Sequence, residues 1–384
     1  MPGKKILWLC SWYPNKVDPF NGDFIQRHAQ AASLLNNISV IFVQSASESK
    51  TEINPSDAYK NLTEKIIFVN KSGTKFSGKI ITHLRWLTAF RKAIDDHISQ
   101  HGLPDLVHVH VPMKAGVLAL WALKKYKVKY LVTEHWGIYN DVASHNFQEK
   151  SIFFKHYTRK IFQKAAVFIS VSNFLGNGVN REVIKKPFVV MPNVVDTTKF
   201  FYKEKNKSEF TFLHVSNMDP IKNPYGIIDA FDRFITTGGE GRLIMVGNSD
   251  PVIRQHASNF KISSGKISFI GEVPYESVAN QMQSANALLL FSNMENSPCV
   301  IGEALCCGLP VIATNAGGIP ELTDPGNSIL VDIGNVTQLA AAMHLVINEY
   351  AKYNLARIAE MASVRFSYLT ATRKFDDIYN NVEG

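Results

Sequence analysis

Short apolar runs alternate with longer amphipathic stretches along the whole chain of 384 residues. The apolar runs are nearly continuous, which is typical of strands buried on both faces of a sheet. Predicted strands cover residues 6–10, 38–43, 66–69, 106–110, 130–133, 166–171, 188–191, 210–215, 243–246, 267–270, 287–291, 311–314 and 328–331. Helical patterns such as residues 24–35, 80–97 and 225–234 separate most of them. This alternation predicts an α/β protein with parallel sheets.

The strands form two series that meet near residues 191–196. The polar, lysine-rich stretch 201–208 follows and is predicted to be a connector, and residues 365–382 form an amphipathic helical pattern. We therefore expect two Rossmann-like domains facing each other across a cleft, in residues 1–195 and 196–364, followed by a terminal segment, 365–384. Ligands of open parallel sheets lie at the carboxyl ends of the strands, so such a cleft suits a reaction between two substrates.

Composition supports folded domains and a reducing compartment. Hydrophobic residues make up 46% of the chain and charged residues 19%, which argues against disorder. Four cysteines show no metal-type spacing and are expected to be reduced, with Cys299 the one that lines a site. Residues 4–10 are basic and then apolar, but the run is shorter than a signal peptide requires. We interpret it as a buried first strand and expect a cytoplasmic protein.

The net charge of +8 is unevenly distributed. Residues 1–195 carry 26 Lys+Arg and 13 Asp+Glu, a balance of +13, whereas residues 196–384 carry 15 and 20, a balance of −5. This asymmetry indicates an anionic partner for the first half, with nucleic acid and a membrane surface or lipid phosphate as candidates. An ordinary solvated basic face is the alternative.

A strand–loop–helix–strand pattern spans residues 291–314. The strand ends at Phe291, and Pro298 opens a short helix at a position where a missing N–H is harmless. Gly308 ends this helix. Glu295 therefore lies in a loop at the carboxyl end of a strand, just before a helix N-terminus.

Two carboxylates flank this helix start. Glu303 is expected roughly two turns into the helix, and the backbone N–H groups of residues 296–300 are suited to a phosphate. Carboxylates repel phosphate but accept strongly from sugar hydroxyls. One glutamate would then hold a donor sugar and the other a ribose, with a diphosphate between them. On spacing alone, a loop charge and a solvated helix residue explain the pair equally well.

A second strand–loop–helix pattern covers residues 213–224. Lys222, near the helix start, is suited to neutralise a diphosphate leaving group, although an ordinary surface lysine fits the same position. His214 lies inside the strand and is predicted to be a core residue.

The first half contributes two further strand ends. Gly22, in the loop after the first strand, permits close approach of backbone to a ligand, but a tight turn explains it equally well. Residues 133–136 place an acid, an imidazole and an indole at another strand end. His135 is suited to bind a sugar hydroxyl with its ring or to direct its carbonyl at the anomeric centre. Of His108 and His110, one is expected to be buried and structural.

Taken together, these residues resemble the retaining GT-B glycosyltransferase family 4, also called glycosyl transferases group 1. The resemblance is carried by Glu295 and Glu303 with seven residues between them, Gly-Leu-Pro-Val at 308–311, Gly-Gly-Ile-Pro-Glu at 317–321, Pro-Asn-Val-Val-Asp at 192–196 and Thr-Glu-His-Trp at 133–136. It spans nearly the whole chain.

The resemblance implies the GT-B fold, with an acceptor-binding domain at 1–195, a nucleotide-sugar-binding domain at 196–364, and a last helix that crosses back to the first domain. It implies transfer of a hexose-type sugar from a UDP- or GDP-linked donor with retention. No metal, no further cofactor and no firmly assigned protein nucleophile are implied, and the usual proposal is a front-face mechanism. The acceptor would be a glycan or lipid-linked saccharide in surface polysaccharide or glycoconjugate synthesis.

The resemblance also assigns site residues. The catalytic candidates are His135, Lys222 and Glu295. The donor-binding candidates are Gly22, Asn217, Lys222, Val273, Glu295, Asn296, Ser297, Pro298, Cys299, Val300 and Glu303. The acceptor-side candidates are Trp12, Phe24, His110 and Trp136. One departure matters: Asn217 stands where the family commonly has a phosphate-binding arginine, so either another cation compensates or donor binding is weaker.

Other functions fit less well. A glycoside hydrolase needs its two carboxylates to flank a glycosidic bond, and a dehydrogenase needs a G-x-G-x-x-G after the first strand, which is missing. A nucleotide-sugar epimerase of GT-B architecture is the alternative function, and it would change the donor alone. A binding-only function would be favoured if Glu303→Ala left all activity and donor affinity unchanged. Among anionic partners we favour a membrane surface, contacted by the basic and apolar stretch 60–92, over nucleic acid.

Overall fold

A computed structural model describes residues 3–55, 58–140, 146–204, 209–260 and 263–382. The described residues form two units, Met1–Val194 with Tyr368–Gly384, and Val195–Ser367. Each unit is built around one sheet in which nearly all neighbouring strands are parallel. The predicted domain boundaries at 195 and 364 lie within a few residues of these limits.

The first unit contains an eight-stranded sheet within the described residues, in the order β3-β4-β2-β1-β5-β6-β7-β8. Its strands are β1 (Lys5–Cys10), β2 (Asn37–Ala46), β3 (Lys50–Pro55), β4 (Leu62–Asn70), β5 (Leu106–His110), β6 (Tyr130–Glu134), β7 (Phe168–Ser170) and β8 (Val189–Val190). Its helices are α1 (Asp23–Ala32), α2 (Phe76–His101), α3 (Pro112–Tyr126), α4 (Ile152–Lys164) and α5 (Asn173–Glu182).

Alternate residues of β1 enter two different cores. Leu7 and Leu9 pack on the face that carries Phe90 of α2. Ile6 and Trp8 pack on the opposite face. Both faces of the sheet are therefore covered, which explains why the strands are continuously apolar.

Strand β3 was not predicted. It pairs with β4 in antiparallel orientation at the edge of the sheet, and its sequence Lys-Thr-Glu-Ile-Asn-Pro contains no apolar run. An edge strand exposes one side to solvent and tolerates charge and proline. At this edge the exposed side chains of Lys16 and Lys50 both pair with Glu52, which is itself only 9% exposed.

The second unit contains a six-stranded sheet within the described residues, in the order β11-β10-β9-β12-β13-β14, with all neighbours parallel. Its strands are β9 (Thr211–Val215), β10 (Arg242–Val246), β11 (Ile267–Gly271), β12 (Ala287–Leu290), β13 (Val311–Thr314) and β14 (Ser328–Val331). Its helices are α6 (Pro224–Thr236), α7 (Pro251–Ser258), α8 (Tyr275–Ser284), α9 (Cys299–Cys306), α10 (Val336–Asn348) and α11 (Leu355–Phe366).

Every predicted strand has a counterpart in one of the two sheets, so the prediction of two parallel α/β domains is confirmed. The predicted connector, residues 201–208, is only partly described, because 205–208 lie outside the described residues. Its first four residues adopt no regular secondary structure.

The helix predicted over residues 365–382 is present, but it begins three residues later and ends two residues earlier than predicted. Helix α11 ends at Phe366, Ser367 has extended backbone, and a new helix, α12, runs over Tyr368–Asn380. Helix α12 packs against α1 of the first unit, where Phe375 and Tyr379 are fully buried. Among the described residues, no helix is both long enough and apolar enough to cross a membrane.

Candidate active site

Two loops of the second unit leave neighbouring strands and meet at an ion pair. Strands β9 and β12 are adjacent and parallel, with Leu213 opposite Leu288, so their carboxyl ends lie at the same edge of the sheet. The loop after β9 carries Lys222, and the loop after β12 carries Glu295. Lys222 Nζ donates to Glu295 Oε1 at 2.6 Å, and the two side chains are 24% and 9% exposed.

Glu295 is fixed by a short series of hydrogen bonds. Ser292 Oγ donates to Glu295 Oε1 at 2.8 Å. The carbonyl of Ser292 accepts from Thr314 Oγ1, at the end of β13, at 2.6 Å. The Gly318 N–H donates to the Glu295 carbonyl at 2.9 Å. The hydrogen bonds from Lys222 and Ser292 are both accepted by Glu295 Oε1, and neither involves Oε2.

The second glutamate lies on α9 with a hydroxyl partner. Glu303 is only 3% exposed, and its Oε1 accepts from Tyr275 Oη at 2.9 Å. The Tyr275 ring packs on Phe200, with centroids 4.8 Å apart. Glu303 is the fifth residue of α9, so it lies about one turn into the helix and not two. The expectation of two turns is wrong, because even from Pro298, where the helix was predicted to open, Glu303 is only five residues along the chain.

A buried histidine of β9 positions the loop that leads to Lys222. His214, fully buried as predicted, has Nδ1 at 3.0 Å from the Leu289 carbonyl, which can only accept, so Nδ1 carries the proton. Its Nε2 then accepts from Ser216 Oγ at 2.7 Å. Ser216 Oγ in turn accepts from the Met218 N–H at 2.9 Å. The histidine thus orients the first residues of the loop.

Gly247, at the end of β10, makes this loop geometry possible. Its φ is +130°, and a Cβ there would lie 1.7 Å from the Ser216 carbonyl oxygen. Any other residue would displace one of the two chains. The sequence pattern did not mark Gly247, because a single glycine after a strand is common in loops.

Asn217 is exposed, and its amide is engaged with a carboxylate. Asn217 Nδ2 donates to Asp219 Oδ2 at 2.5 Å. The residue therefore supplies no positive charge, and in this arrangement its amide donor is directed at Asp219.

The other donor-binding candidates of the second unit lie close to these groups in the chain. Val273 is half-buried in the loop before α8 and packs against the core behind Tyr275. Ser297 and Pro298 are buried, whereas Asn296, Cys299 and Val300 are half-buried around the start of α9. The structure thus brings Lys222, Glu295 and Ser292 into contact and pairs Glu303 with Tyr275.

In the first unit, the acceptor-side candidates gather around His135. Rings of Trp12 and Trp136 lie 5.8 Å apart, and Phe24 lies 4.9 Å from His135. His110 Nδ1 lies 3.4 Å from His135 Nε2. This group sits at the carboxyl ends of β1, β5 and β6 and at the start of α1.

Gly22 and His108 have clear structural explanations. Gly22 is the N-cap of α1 with a φ of +70°, and a Cβ there would lie 2.9 Å from Trp12 Cβ. Both His108 and His110 are fully buried. His108 is the structural one, because its two nitrogens contact Tyr379 Oη at 2.8 Å and Thr133 Oγ1 at 2.7 Å.

Glu134 is a buried acid that orients the strand end before His135. Its Oε1 accepts from the N–H groups of His135 and Trp136 at 2.9 Å each, and its Oε2 accepts from Tyr139 Oη at 2.6 Å. Burial raises the pKa of Glu134 to about 7, and these three donors oppose the rise. The carboxyl therefore fixes the path of the chain through His135 and Trp136.

Two parallel α/β units of this kind make up the GT-B fold, which this chain shares with solved structures. Two family models match adjacent parts of the chain: "Glycosyltransferase Family 4" matches residues 39–199, and "Glycosyl transferases group 1" matches residues 195–362. The chain belongs to the glycosyltransferase family that these models describe.

Similar proteins agree with this class. TuaC of Bacillus subtilis, which its name assigns provisionally as a teichuronic acid biosynthesis glycosyltransferase, is 24% identical over 360 residues, 88% of each chain. The structure of sucrose-phosphate synthase from Thermosynechococcus elongatus matches with a TM-score of 0.79 and 17% identity over 99% of both chains. Anabaena HepE, in complex with UDP-glucose, matches with a TM-score of 0.72 and 17% identity, over 98% of this chain and 99% of that one. At these identities, the two structures show the shared fold.

Removal of the Tyr275 hydroxyl tests how Glu303 is positioned. In Tyr275→Phe, Glu303 loses a charge-assisted hydrogen bond worth about 1.5–3 kcal/mol when fully buried. Because Tyr275 is only half-buried, we expect a smaller effect, a rise of about three- to tenfold in the donor KM with little change in kcat. The control is Tyr350→Phe, which removes the hydroxyl that contacts Asn286 at 3.4 Å. Equal donor KM values for the two variants would contradict the positioning role.

Proposed function

We propose that this protein is a retaining glycosyltransferase that moves a hexose-type sugar from a nucleotide-diphosphate sugar to a glycan or lipid-linked saccharide acceptor. The observation that carries the proposal is the Lys222–Glu295–Ser292 arrangement at adjacent strand ends, with Glu303 on the following helix. It combines a cation suited to a diphosphate with carboxylates suited to hydroxyl groups.

Each group of the second unit has a distinct task in this proposal. Lys222 neutralises the charge that develops on the diphosphate as its bond to the sugar breaks. Glu295 accepts from a hydroxyl of the donor sugar through Oε2, since Oε1 is taken by Lys222 and Ser292. Glu303 accepts from the ribose. Asn217 contributes a hydrogen-bond donor to the diphosphate only after its amide leaves Asp219.

The proposed transfer takes place on one face of the sugar. The bond from the anomeric carbon to the diphosphate oxygen breaks, and the acceptor oxygen bonds to the same face while its proton moves to the departing diphosphate. Glu295 is a poor nucleophile for this step, because its carboxylate charge is already shared with an ammonium and a hydroxyl. No metal is assigned to the donor, since Lys222 supplies the countercharge. His135 contributes either its ring to a sugar hydroxyl or its carbonyl to the anomeric centre.

UDP- and GDP-linked sugars are the proposed donors. UDP is the first choice because HepE, which shares the fold, was solved with UDP-glucose. None of the relatives described above is named as an epimerase, and nothing in the site favours that alternative.

The proposed acceptor pathway is surface polysaccharide or glycoconjugate synthesis at the cytoplasmic face of the membrane. TuaC supports this choice by its name, and the basic balance of residues 1–195 supports it by charge. Cytoplasmic leaflets are anionic and attract such surfaces.

Turnover with a panel of UDP- and GDP-sugars tests the proposal. We expect one donor to be consumed with a saccharide acceptor, and proton NMR of the product to show the anomeric configuration of the donor. An inverted product would overturn retention. Conversion of the donor to another nucleotide sugar without any acceptor would favour the epimerase.

An exposed apolar and basic edge of the first unit is the proposed membrane contact. Phe76 of α2 is 80% exposed, and Ile152 and Phe153 of α4 are 78% and 74% exposed. Helices α2 and α4 follow the parallel strands β4 and β6, so both begin at the carboxyl edge of the sheet. Lys75 and Lys79 flank Phe76 in the sequence.

We expect binding to anionic vesicles that weakens as salt rises. The triple variant Phe76→Ser, Ile152→Ser and Phe153→Ser should lower the partition coefficient about tenfold or more, because burying one large apolar side chain contributes about 1.5–3 kcal/mol. Vesicle pelleting measures this. The control is Leu103→Ser, which removes an exposed leucine at the opposite edge, before β5. Salt-independent binding, or equal loss in the control, would contradict the proposed surface.

A further inference from the structure

Three buried histidines from three separate elements of the first unit converge. His28 comes from α1, His110 from the end of β5, and His135 directly follows β6. His28 and His110 are fully buried, and His135 is 7% exposed. One ring nitrogen of each lies within 4.8 Å of the others, and the closest pair, His110 Nδ1 and His135 Nε2, is 3.4 Å apart.

The hydrogen bonds of His28 define its tautomer. Its Nε2 lies 3.3 Å from the Pro192 carbonyl oxygen. A carbonyl can only accept, so Nε2 carries the proton. In the neutral ring, Nδ1 of His28 then carries a lone pair. Within the described residues, Nδ1 of His28 is buried without a hydrogen-bond partner.

Buried polar atoms without partners are unfavourable by about 1–3 kcal/mol each, and native proteins keep few of them. In His108, on the same strand as His110, both ring nitrogens have hydrogen-bond partners, as is usual for a buried polar group. His214 in the second unit is satisfied in the same way. The orphan Nδ1 therefore sets His28 apart from these two structural histidines.

We propose that His28, His110 and His135 bind a divalent transition-metal ion of the zinc class. Neutral imidazole is a preferred ligand of zinc, copper, nickel and cobalt. With zinc–nitrogen bonds of about 2.0–2.1 Å, tetrahedral geometry separates ligand nitrogens by about 3.3–3.4 Å. The His110–His135 pair already has this spacing, and the third nitrogen needs a shift of about 1.5 Å or less to reach it.

The surroundings hold the rings in place. Trp8 stacks on His110 with centroids 3.9 Å apart, Phe375 lies 5.6 Å from His28, and Phe24 lies 4.9 Å from His135. The Pro192 carbonyl orients His28 as backbone carbonyls commonly orient metal-binding histidines. Three protein ligands leave a fourth position for water or an anionic group. With its ring on the metal, His135 acts on the sugar through its carbonyl.

Cobalt titration of the full chain tests the site independently of glycosyl transfer. Protein without an affinity tag is first treated with a chelator and dialysed, and Co²⁺ is then added. We expect one equivalent to produce the intense visible absorption of tetrahedral cobalt, and Zn²⁺ to displace it. In His28→Gln, Co²⁺ affinity should fall by about tenfold to a hundredfold or more. His83→Gln, which replaces an exposed histidine of α2, should bind like the wild type.

The wild-type result decides the question even if His28→Gln folds poorly. Absence of the cobalt band, together with no effect of Zn²⁺ on thermal unfolding, would show that the group is only a structural cluster of imidazoles. A band that persists unchanged in a folded His28→Gln variant would place the metal elsewhere. Failure of donor turnover would leave the cobalt result unaffected, so the two proposals fail separately.

Discussion

Replacement of Glu303 by alanine is expected to lower kcat/KM for the donor by about 100- to 1000-fold. The reason is that a buried carboxylate, only 3% exposed, would lose its hydrogen bonds to the ribose. One hydrogen bond to a charged group contributes about 1.5–3 kcal/mol, so two such bonds account for a loss of this size. Because the ribose is bound alike in ground state and transition state, the loss should appear mainly in KM.

The control for Glu303 is Glu276→Ala, which removes an exposed glutamate at the start of α8. It should change kcat/KM by less than about twofold, since exposed substitutions away from the site have small effects. A Glu303→Ala enzyme with the wild-type donor KM would show that this glutamate does not hold the donor.

Replacement of Lys222 by alanine should lower kcat by about 100- to 1000-fold. The ammonium is proposed to stabilise charge that appears only as the diphosphate departs, and loss of one such group typically has an effect of this size. The change should fall on kcat more than on KM, the opposite of Glu303→Ala. Lys222→Arg keeps the charge and should recover part of the rate.

Lys222→Ala also leaves Glu295 without its ion-pair partner. Because Lys222 is 24% exposed, we expect only about 1–2 kcal/mol of lost stability. The control is Lys199→Ala, which breaks a similar pair with the buried Asp196 at 2.7 Å. Both variants should lose similar stability in denaturant unfolding, but only Lys222→Ala should lose turnover. Equal kcat values for the two variants would contradict the leaving-group role.

The parallel sheets could be predicted because their strands are buried on both faces and therefore apolar without interruption. Strand β3 could not, because an edge strand needs no apolar run. The last helix was predicted to begin at residue 365, three residues too early: Ser367 interrupts a helical pattern that continues on both sides, and the start of α12 depends on its packing against α1. Local sequence carries no signal for such long-range contacts.

At the candidate site, the sequence pattern predicted the charged residues but not the residues that position them through hydrogen bonds. Ser292, Tyr275 and Ser216 are small or ordinary polar residues without a marked spacing. Their importance depends on which strands become neighbours in the sheet. His28 lies on the predicted helix 24–35, but nothing in that helix shows that it meets His110 and His135. Only the tertiary fold brings these elements together.

The central claim is that the segment from Glu295 to Glu303 binds a nucleotide-sugar donor. Calorimetric titration of UDP-sugars, GDP-sugars and the free diphosphates into wild type, Glu303→Ala and Glu276→Ala measures this binding directly. We predict that wild type and Glu276→Ala bind one nucleotide sugar with the same affinity, and that Glu303→Ala binds it about 100-fold more weakly. Equal affinity of all three proteins for that ligand, or no binding of any ligand by the wild type, would contradict the claim.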